Sequence, residues 1–524
     1  MPASRGSSSS RKIIIYAIIG IVAVAAVSVF AFSRPPSGNN EEDALQRFQE
    51  QWCGPDATPN SSAYISEIVL QEDCEMPLGI AVDGTDVWYV SAKRGVLGGY
   101  NSAESEFSRY EIPEWPSLER PFTSLGSWQS SWTVRTDGDG NVWFTDERNA
   151  IWRFDKASES FDKFNVPANY PSDMEFDSNG NIYFIGINSK SIFYGDVSAM
   201  RDGTSEGITE IPLPLEGFEG IDPRVMSSGL IVVDNERNDV WVSLLAFQQK
   251  GQLFQYDIDA DRFVNVVDLP AELSSPVGGA IDNSGNLWVA DHASNIFFKY
   301  DPTNEEITKF ITSVASPKIY GGTMPANANT WPYWLATGPD GSIWFNEHIG
   351  NKIARFDPED LTLTEYWIPS QNDVWARCPS GSETCGIANA LQFTVSPDNQ
   401  VWFSEHTENK IARLDAAKQV PIAVSAPEEV TVARGDSTEI RVTVDAFGDF
   451  SGKMISSATL TRNGLLGNSS GIFSEESVSI SGRSKQVSYT FTPAEDLVTG
   501  QYVIMVGAEN DDVSVLKAVK VNIV

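Results

Sequence analysis

The sequence predicts an all-β chain: a seven-bladed β-propeller followed by an immunoglobulin-like β-sandwich, behind one N-terminal transmembrane helix. Three observations predict it. An apolar-aromatic strand recurs at Trp88, Trp143, Tyr183, Trp241, Trp288, Trp344 and Trp402, so the intervals run from 40 residues (143 to 183) to 58 (344 to 402). Repeats of that length signal propellers or solenoids. From about Val420 the pattern gives way to short alternating strands, and near the N-terminus an uncharged apolar stretch runs from Ile13 to Phe32.

The elements follow in order. Residues 1–12 form a polar, basic tail carrying Arg5, Arg11 and Lys12. The stretch 13–32 matches the hydrocarbon thickness of a bilayer, and Glu41, Glu42 and Asp43 follow it. The Lys/Arg bias places the N-terminus inside and the body outside, a single-pass cell-membrane protein with the bilayer as a partner. A cleaved signal peptide is the alternative, although its apolar core is usually shorter. Residues 33–60 read as a linker. The four cysteines, Cys53, Cys74, Cys378 and Cys385, suit an oxidising exterior and read as two disulfides, the pairing left open. A formal net charge of −34 excludes a nucleic-acid partner, because a phosphate backbone needs a basic footprint.

Residues 61–418 carry the repeat. Each unit has an apolar strand, a turn such as "GPDGS" or "DNSGN", the Trp strand, a strand such as "KIARFD", and a last strand resembling "TEYWIPS". The seventh unit lacks its fourth strand, while "AYISEIVLQ" (63–71) stands alone before the first unit. That strand is expected to complete the last blade, closing the ring and removing two exposed edges. Residues 420–524 alternate apolar and polar side chains over short strands, which predicts the sandwich as a spacer or interaction module.

The three histidines of the chain, His292, His348 and His406, each lie four residues after the aligned Trp. Each directly follows an acid: Asp291, Glu347 and Glu405. The second unit has Asp146 and Glu147 at the same two places. Strand direction places these pairs at one mouth of the ring, under the long connections 114–132, 316–334 and 372–390. Three imidazoles and their carboxylates there are candidates for divalent-metal binding (His292, His348, His406, Glu347, Glu405) and for acid–base catalysis (His348, His406, Glu347, Glu405). Neighbouring residues on a strand point to opposite faces, so one of each pair at most looks into the mouth. The structural reading stands beside this one. Asn295, Asn351 and Asn409 also recur, and the whole turn then serves to satisfy backbone groups in each blade.

The segments "DGSIWFNEHIGNKIARFDP", "DNQVWFSEHTENKIARLD", "GNVWFTDERNAIWRFD" and "GNLWVADHASNIFFKYD" resemble the repeat of the virginiamycin B lyase (streptogramin lyase) family. The resemblance implies a seven-bladed propeller whose mouth holds His and Glu side chains and a magnesium ion. It implies opening of a macrocyclic ester by elimination, with a base removing a proton while the metal polarises the leaving carboxylate. Glu347 and Glu405 match the acid that ends the family's strand. The adjacent "EH" spacing, the anchor and the appended sandwich depart from that family. The expected function is therefore a metal-assisted lyase or hydrolase acting on an ester or lactone at the mouth. The alternative is a non-catalytic surface propeller binding a protein, glycan or envelope component.

Overall fold

The computed structural model describes residues 58–72, 75–92, 94–115, 130–321, 329–371, 386–457 and 465–524. The apolar stretch 13–32, all four cysteines and most of the three long connections lie outside the described residues. No helix among the described residues is long and apolar enough to cross a membrane. Three short 3-10 turns are their only helical elements.

Seven antiparallel four-strand sheets follow the repeat. Blade 1 is Pro77–Asp83, Asp86–Ser91, Val96–Asn101 and Glu106–Glu111, and blade 2 runs from Val134–Thr136 to Ser160–Asn165. Blade 3 spans Pro171–Phe176 to Ile208–Pro212, blade 4 Met226–Asp234 to Arg262–Asp268, and blade 5 Pro276–Ile281 to Glu306–Ile311. Blade 6 spans Pro332–Thr337 to Thr362–Trp367. Blade 7 takes Phe393–Val395, Gln400–Glu405 and Lys410–Asp415, and its outermost strand is Ile65–Val69 from the other end of the chain. The register runs antiparallel from Ile65↔Leu414 to Val69↔Lys410. The first strands of blades 7 and 1 are neighbours, as are those of 1 and 2, so the ring closes.

A local device explains why the turn before the Trp strand is written as Asp-x-x-Gly-Asn-x-Trp. Asp137 Oδ1 accepts from the backbone N–H of Asp139 and Asn141, and Oδ2 accepts from Asn141 Nδ2 and Trp143 Nε1 at 2.9 and 2.8 Å. Asp282 repeats this with Ser284, Asn286 and Trp288. Gly140 and Gly285 sit at φ 80° and 82°, a region that favours glycine. One carboxylate thus fixes the hairpin and aims the indole. Trp143, Trp241, Trp288 and Trp344 are fully buried, each worth about 5 kcal/mol of apolar burial.

The C-terminal segment forms two sheets sharing one core. Strand Thr438–Ala446 alternates as expected, with Ile440, Val442 and Val444 inward and Glu439 and Arg441 outward. These residues pack against Ile504, Val506, Val519 and Val521 of the other sheet. The segment is not merely tethered. Val513–Ile523 pairs antiparallel with the outermost strand of blade 6, from Thr362↔Lys517 to Tyr366↔Val513. Its far half pairs in parallel with Glu429–Val432. Blade 6 therefore continues into a nine-stranded sheet. Leu516, Ala518, Val503 and Met505 pack with Phe310, Phe356 and Leu363 of the propeller. An otherwise open sheet edge is covered.

Candidate functional site

The acid-plus-one position has a common geometry in four blades. His292 Nδ1 meets the Pro332 carbonyl at 3.2 Å, and His406 Nδ1 meets that of Pro77 at 3.1 Å. Both prolines begin the innermost strand of the next blade. His348 Nε2 meets Asn389 Oδ1 at 2.6 Å, one residue ahead of the equivalent place in blade 7. Glu147 of blade 2 faces Tyr170, just before Pro171 of blade 3. Met76, Tyr170, Trp331 and Asn389, which precede these strands, all take left-handed φ of 51–67°. The side chain from one blade thus fastens the turn that starts the next.

All three imidazoles are buried, and burial drives their pKa down to about 3 for His292 and about 4 for His348 and His406. They are neutral near pH 7. An Nδ1–H donating to a carbonyl assigns the tautomer of His292 and His406. The His292 and His348 rings stack with centroids 5.5 Å apart and flank Tyr333. His406 is held instead at the junction of blades 7 and 1. The structure thus brings two of the three histidines together.

Glu347 and Glu405 turn into two matched ionic clusters. Lys352 Nζ lies 3.4 Å from Glu347, 3.0 Å from Glu365 and 2.6 Å from Ser313 Oγ. Lys410 Nζ lies 2.7 Å from both Glu67 and Ser370 Oγ, with Glu405 alongside Glu67. Burial, then the neighbouring carboxylate, raises both Glu347 and Glu405 well above the usual carboxyl range. Glu365 is held low against its burial by Lys352 and the Ser313 donors. Each cluster ties blade strands together through the lysine of the "NKIAR" segment. Asn351 and Asn409 complete the device: Asn351 bridges the Ile368 and Ser370 carbonyls and the Ala388 N–H, and Asn409 bridges Glu72 and Glu75.

Magnesium takes oxygen donors in a near-octahedral set. The carboxylates nominated from sequence face lysines, and the histidines nominated with them fasten turns. Among the described residues no group of three or more His, Cys, Asp or Glu side chains is arranged to hold a metal ion. The residues present do not fit the metal that the family resemblance implies, and no step is derived through one.

The axis itself is narrow. Trp132, Leu245, Val277, Tyr333 and Trp334 line an axial cavity of about 30 Å³ together with Asp173 and Ser227. That volume holds water rather than a ligand. Gln392 Nε2 of blade 7 donates to Thr133 Oγ1 of blade 2 at 2.9 Å, and the Arg135 guanidinium covers the Trp334 ring at 5.5 Å. Asp173 is pushed up to about 7 by burial, against the pull of Arg135 3.5 Å away.

The rim beside blades 2 and 3 is chemically different. Glu147 is half-buried and pushed up to about 7, chiefly by burial, with Tyr170 and the Ser130 backbone opposing and Asp146 assisting. Glu147 Oε2 and Ser131 Oγ are buried with no hydrogen-bond partner, and the Trp132 indole N–H donates to the Tyr170 hydroxyl. Sequence reading placed Glu147 in the pattern but passed over Tyr170, Trp132, Asp173 and Arg135. The X-Pro step that recurs at Met76-Pro77, Tyr170-Pro171 and Trp331-Pro332 was the available signal for Tyr170. Asp173 and Arg135 gave none, because only closing the ring brings them together.

No family model matches the chain, and neither does any curated protein. Among solved structures, streptogramin B lyase is similar over 68% of this chain and 99% of its own, at 21% identity and a TM-score of 0.50. Virginiamycin B lyase from Staphylococcus aureus is similar over 67% of this chain and 98% of its own, at 21% identity and a TM-score of 0.49. U3-55K covers 68% and 99% at 10% identity and 0.44. Likeness at this level shows fold alone: the ring is a β-propeller, the fold it shares with streptogramin B lyase.

Proposed function

We propose that the chain takes a small ester- or lactone-bearing molecule on the rim of its propeller and opens it by proton transfer to its own side chains. The observation that carries this reading is an aromatic rim bordered by buried polar atoms that lack partners, among them Ser131 Oγ, Glu147 Oε2 and His348 Nδ1. Such atoms are costly unless something pairs with them. The likeness to streptogramin B lyase supports the same reading as an analogy of fold. The C-terminal segment is read as an immunoglobulin-like sandwich fixed to the ring, and 13–32 as an anchor that holds the body outside the membrane.

A second reading, a propeller that binds a surface ligand without catalysis, is favoured by one observation. Glu347 is paired with Lys352, Glu405 lies against Glu67 in the Lys410 cluster, and both are closed to solvent. One experiment separates the two. The chain is incubated with quinupristin, which has been solved bound to a catalytically inactive S. aureus virginiamycin B lyase, and with simple γ- and δ-lactones, and products are read by mass spectrometry. Opening by elimination leaves the mass unchanged with a new retention time, and hydrolysis adds one water. Binding without any product supports the second reading, and absence of both binding and product sinks the first.

A further inference from the structure

We propose that the cleft where blade 6 meets the C-terminal sheets binds a neutral saccharide, independently of the ester reading above. The cleft measures about 440 Å³ and shares no lining residue with the axial cavity. That size falls within the range of about 300–1,000 Å³ usual for ligand sites, which form preferentially between domains. Three parts of the chain build it. Trp367 ends the outermost strand of blade 6, Ser61 and Ser62 precede the strand that completes blade 7, and residues 509–512 turn between the last two strands. The walls are tied together: the Trp367 backbone N–H donates to the Asp512 carbonyl at 3.0 Å, and Lys318 of the propeller pairs with Asp511 at 3.0 Å.

The charges of the lining argue against an ionic ligand. Lys453 pairs with Glu509 at 2.8 Å and Lys318 with Asp511, so the lining cations are matched and Asp512 is left over. An anion therefore finds no spare positive charge among the lining residues. A cation is opposed as well. The Trp367 ring already carries the Lys352 ammonium 4.6 Å from its centroid, and that ammonium is fully buried, so a like charge occupies the inner side of the ring. What the cleft offers instead is an indole, serine hydroxyls and an amide. Asn510 is held in place: its Oδ1 accepts from the backbone N–H of Asp512 and of Val513, each at 2.9 Å, which leaves Nδ2 to donate. A sugar ring matches this set. Its C–H face lies against an indole at little cost in side-chain entropy. Each of its hydroxyls both donates and accepts, so it serves the Asp512 carboxylate and the Asn510 amide alike. Because the propeller and the C-terminal segment both contribute, a bound saccharide bridges the two and favours their docked arrangement.

The test titrates the intact chain by calorimetry with maltotriose, cellotriose, mannotriose and chitotriose, and with spermidine and a heparin disaccharide as ionic controls. At least one neutral trisaccharide is expected to bind and to raise the unfolding temperature, while neither control does. Trp367→Ala and Asp512→Asn are each expected to weaken that binding at least tenfold. Trp367→Ala also uncovers Lys352, so Asp512→Asn, which keeps the shape of the side chain, carries the test if the first variant fails to fold. Three results overturn the proposal: no trisaccharide binds, only spermidine or the heparin disaccharide binds, or a trisaccharide binds Asp512→Asn and the wild type equally well.

Discussion

Replacing Lys410 by methionine probes how the ring is closed. Lys410 Nζ is 2.7 Å from Glu67, a residue of the N-terminal strand that completes blade 7, and its side chain is 2% exposed. At that distance and an effective dielectric of about 20, the attraction is about 6 kcal/mol before desolvation is charged against it. Removing one partner from a buried pair leaves a net cost of about 3–5 kcal/mol, because Glu67 remains buried without a counter-charge. The assay is urea unfolding of the full chain followed by tryptophan fluorescence. Glu67→Gln combined with Lys410→Met removes the stranded carboxylate as well and is expected to recover part of the loss. Lys352→Met in the matched cluster of blade 6 is expected to behave alike. If Lys410→Met falls within 1 kcal/mol of wild type, or the double variant is no better than the single, the closure cluster does not hold the ring as argued.

Three further outcomes follow from other parts of the fold. His406 is neutral in the native state down to about pH 4, whereas the unfolded chain protonates it near 6.5. Its contribution is therefore intact above 6.5 and lost as pH falls toward 4, amounting to about 2 kcal/mol at pH 5. His406→Gln should gain that amount relative to wild type between pH 8 and pH 5, and a difference independent of pH contradicts the assignment. Asp282→Ala strands the buried Trp288 N–H and the hairpin amides, so a loss of about 2–3 kcal/mol is expected in the same unfolding assay. Leu516 is fully buried between blade 6 and the C-terminal sheets. Leu516→Ala should cost about 2–5 kcal/mol and split a single calorimetric transition into two as the segments uncouple.

Much of the ring was legible because its signals are local. The Asp-x-x-Gly-Asn-x-Trp turn announces a hairpin, and the spare strand at 63–71 has no other sheet to join. The docking of Val513–Ile523 was not legible, because alternation identifies a strand but not the edge it pairs with. Its unusual length was the clue: one half lies on blade 6 and the other on Glu429–Val432. At the mouth, the sequence set Glu347, Glu405 and the histidines at equivalent places, and the recurring asparagines proved to bridge backbone groups as the structural reading expects. Sequence does not show that Lys352 folds back onto Glu347, five residues before it, or that Lys410 reaches Glu67 beside Glu405. Nor does it show that Glu365 and Glu67 arrive from the outermost strands of their blades. Those contacts seal Glu347 and Glu405 between strands of their blades, and blade 2 differs in carrying Glu147 where blades 5, 6 and 7 carry histidine.

The most direct test compares three carboxyls in one native labelling experiment with carbodiimide at pH 6.5. The account predicts that Glu147 labels while Glu347 and Glu405, sealed among Lys352, Lys410 and the blade strands, do not until the chain is unfolded. Labelling of Glu347 and Glu405 in the native protein, with Glu147 inert, would place the reactive carboxyls where the histidines are and contradict it.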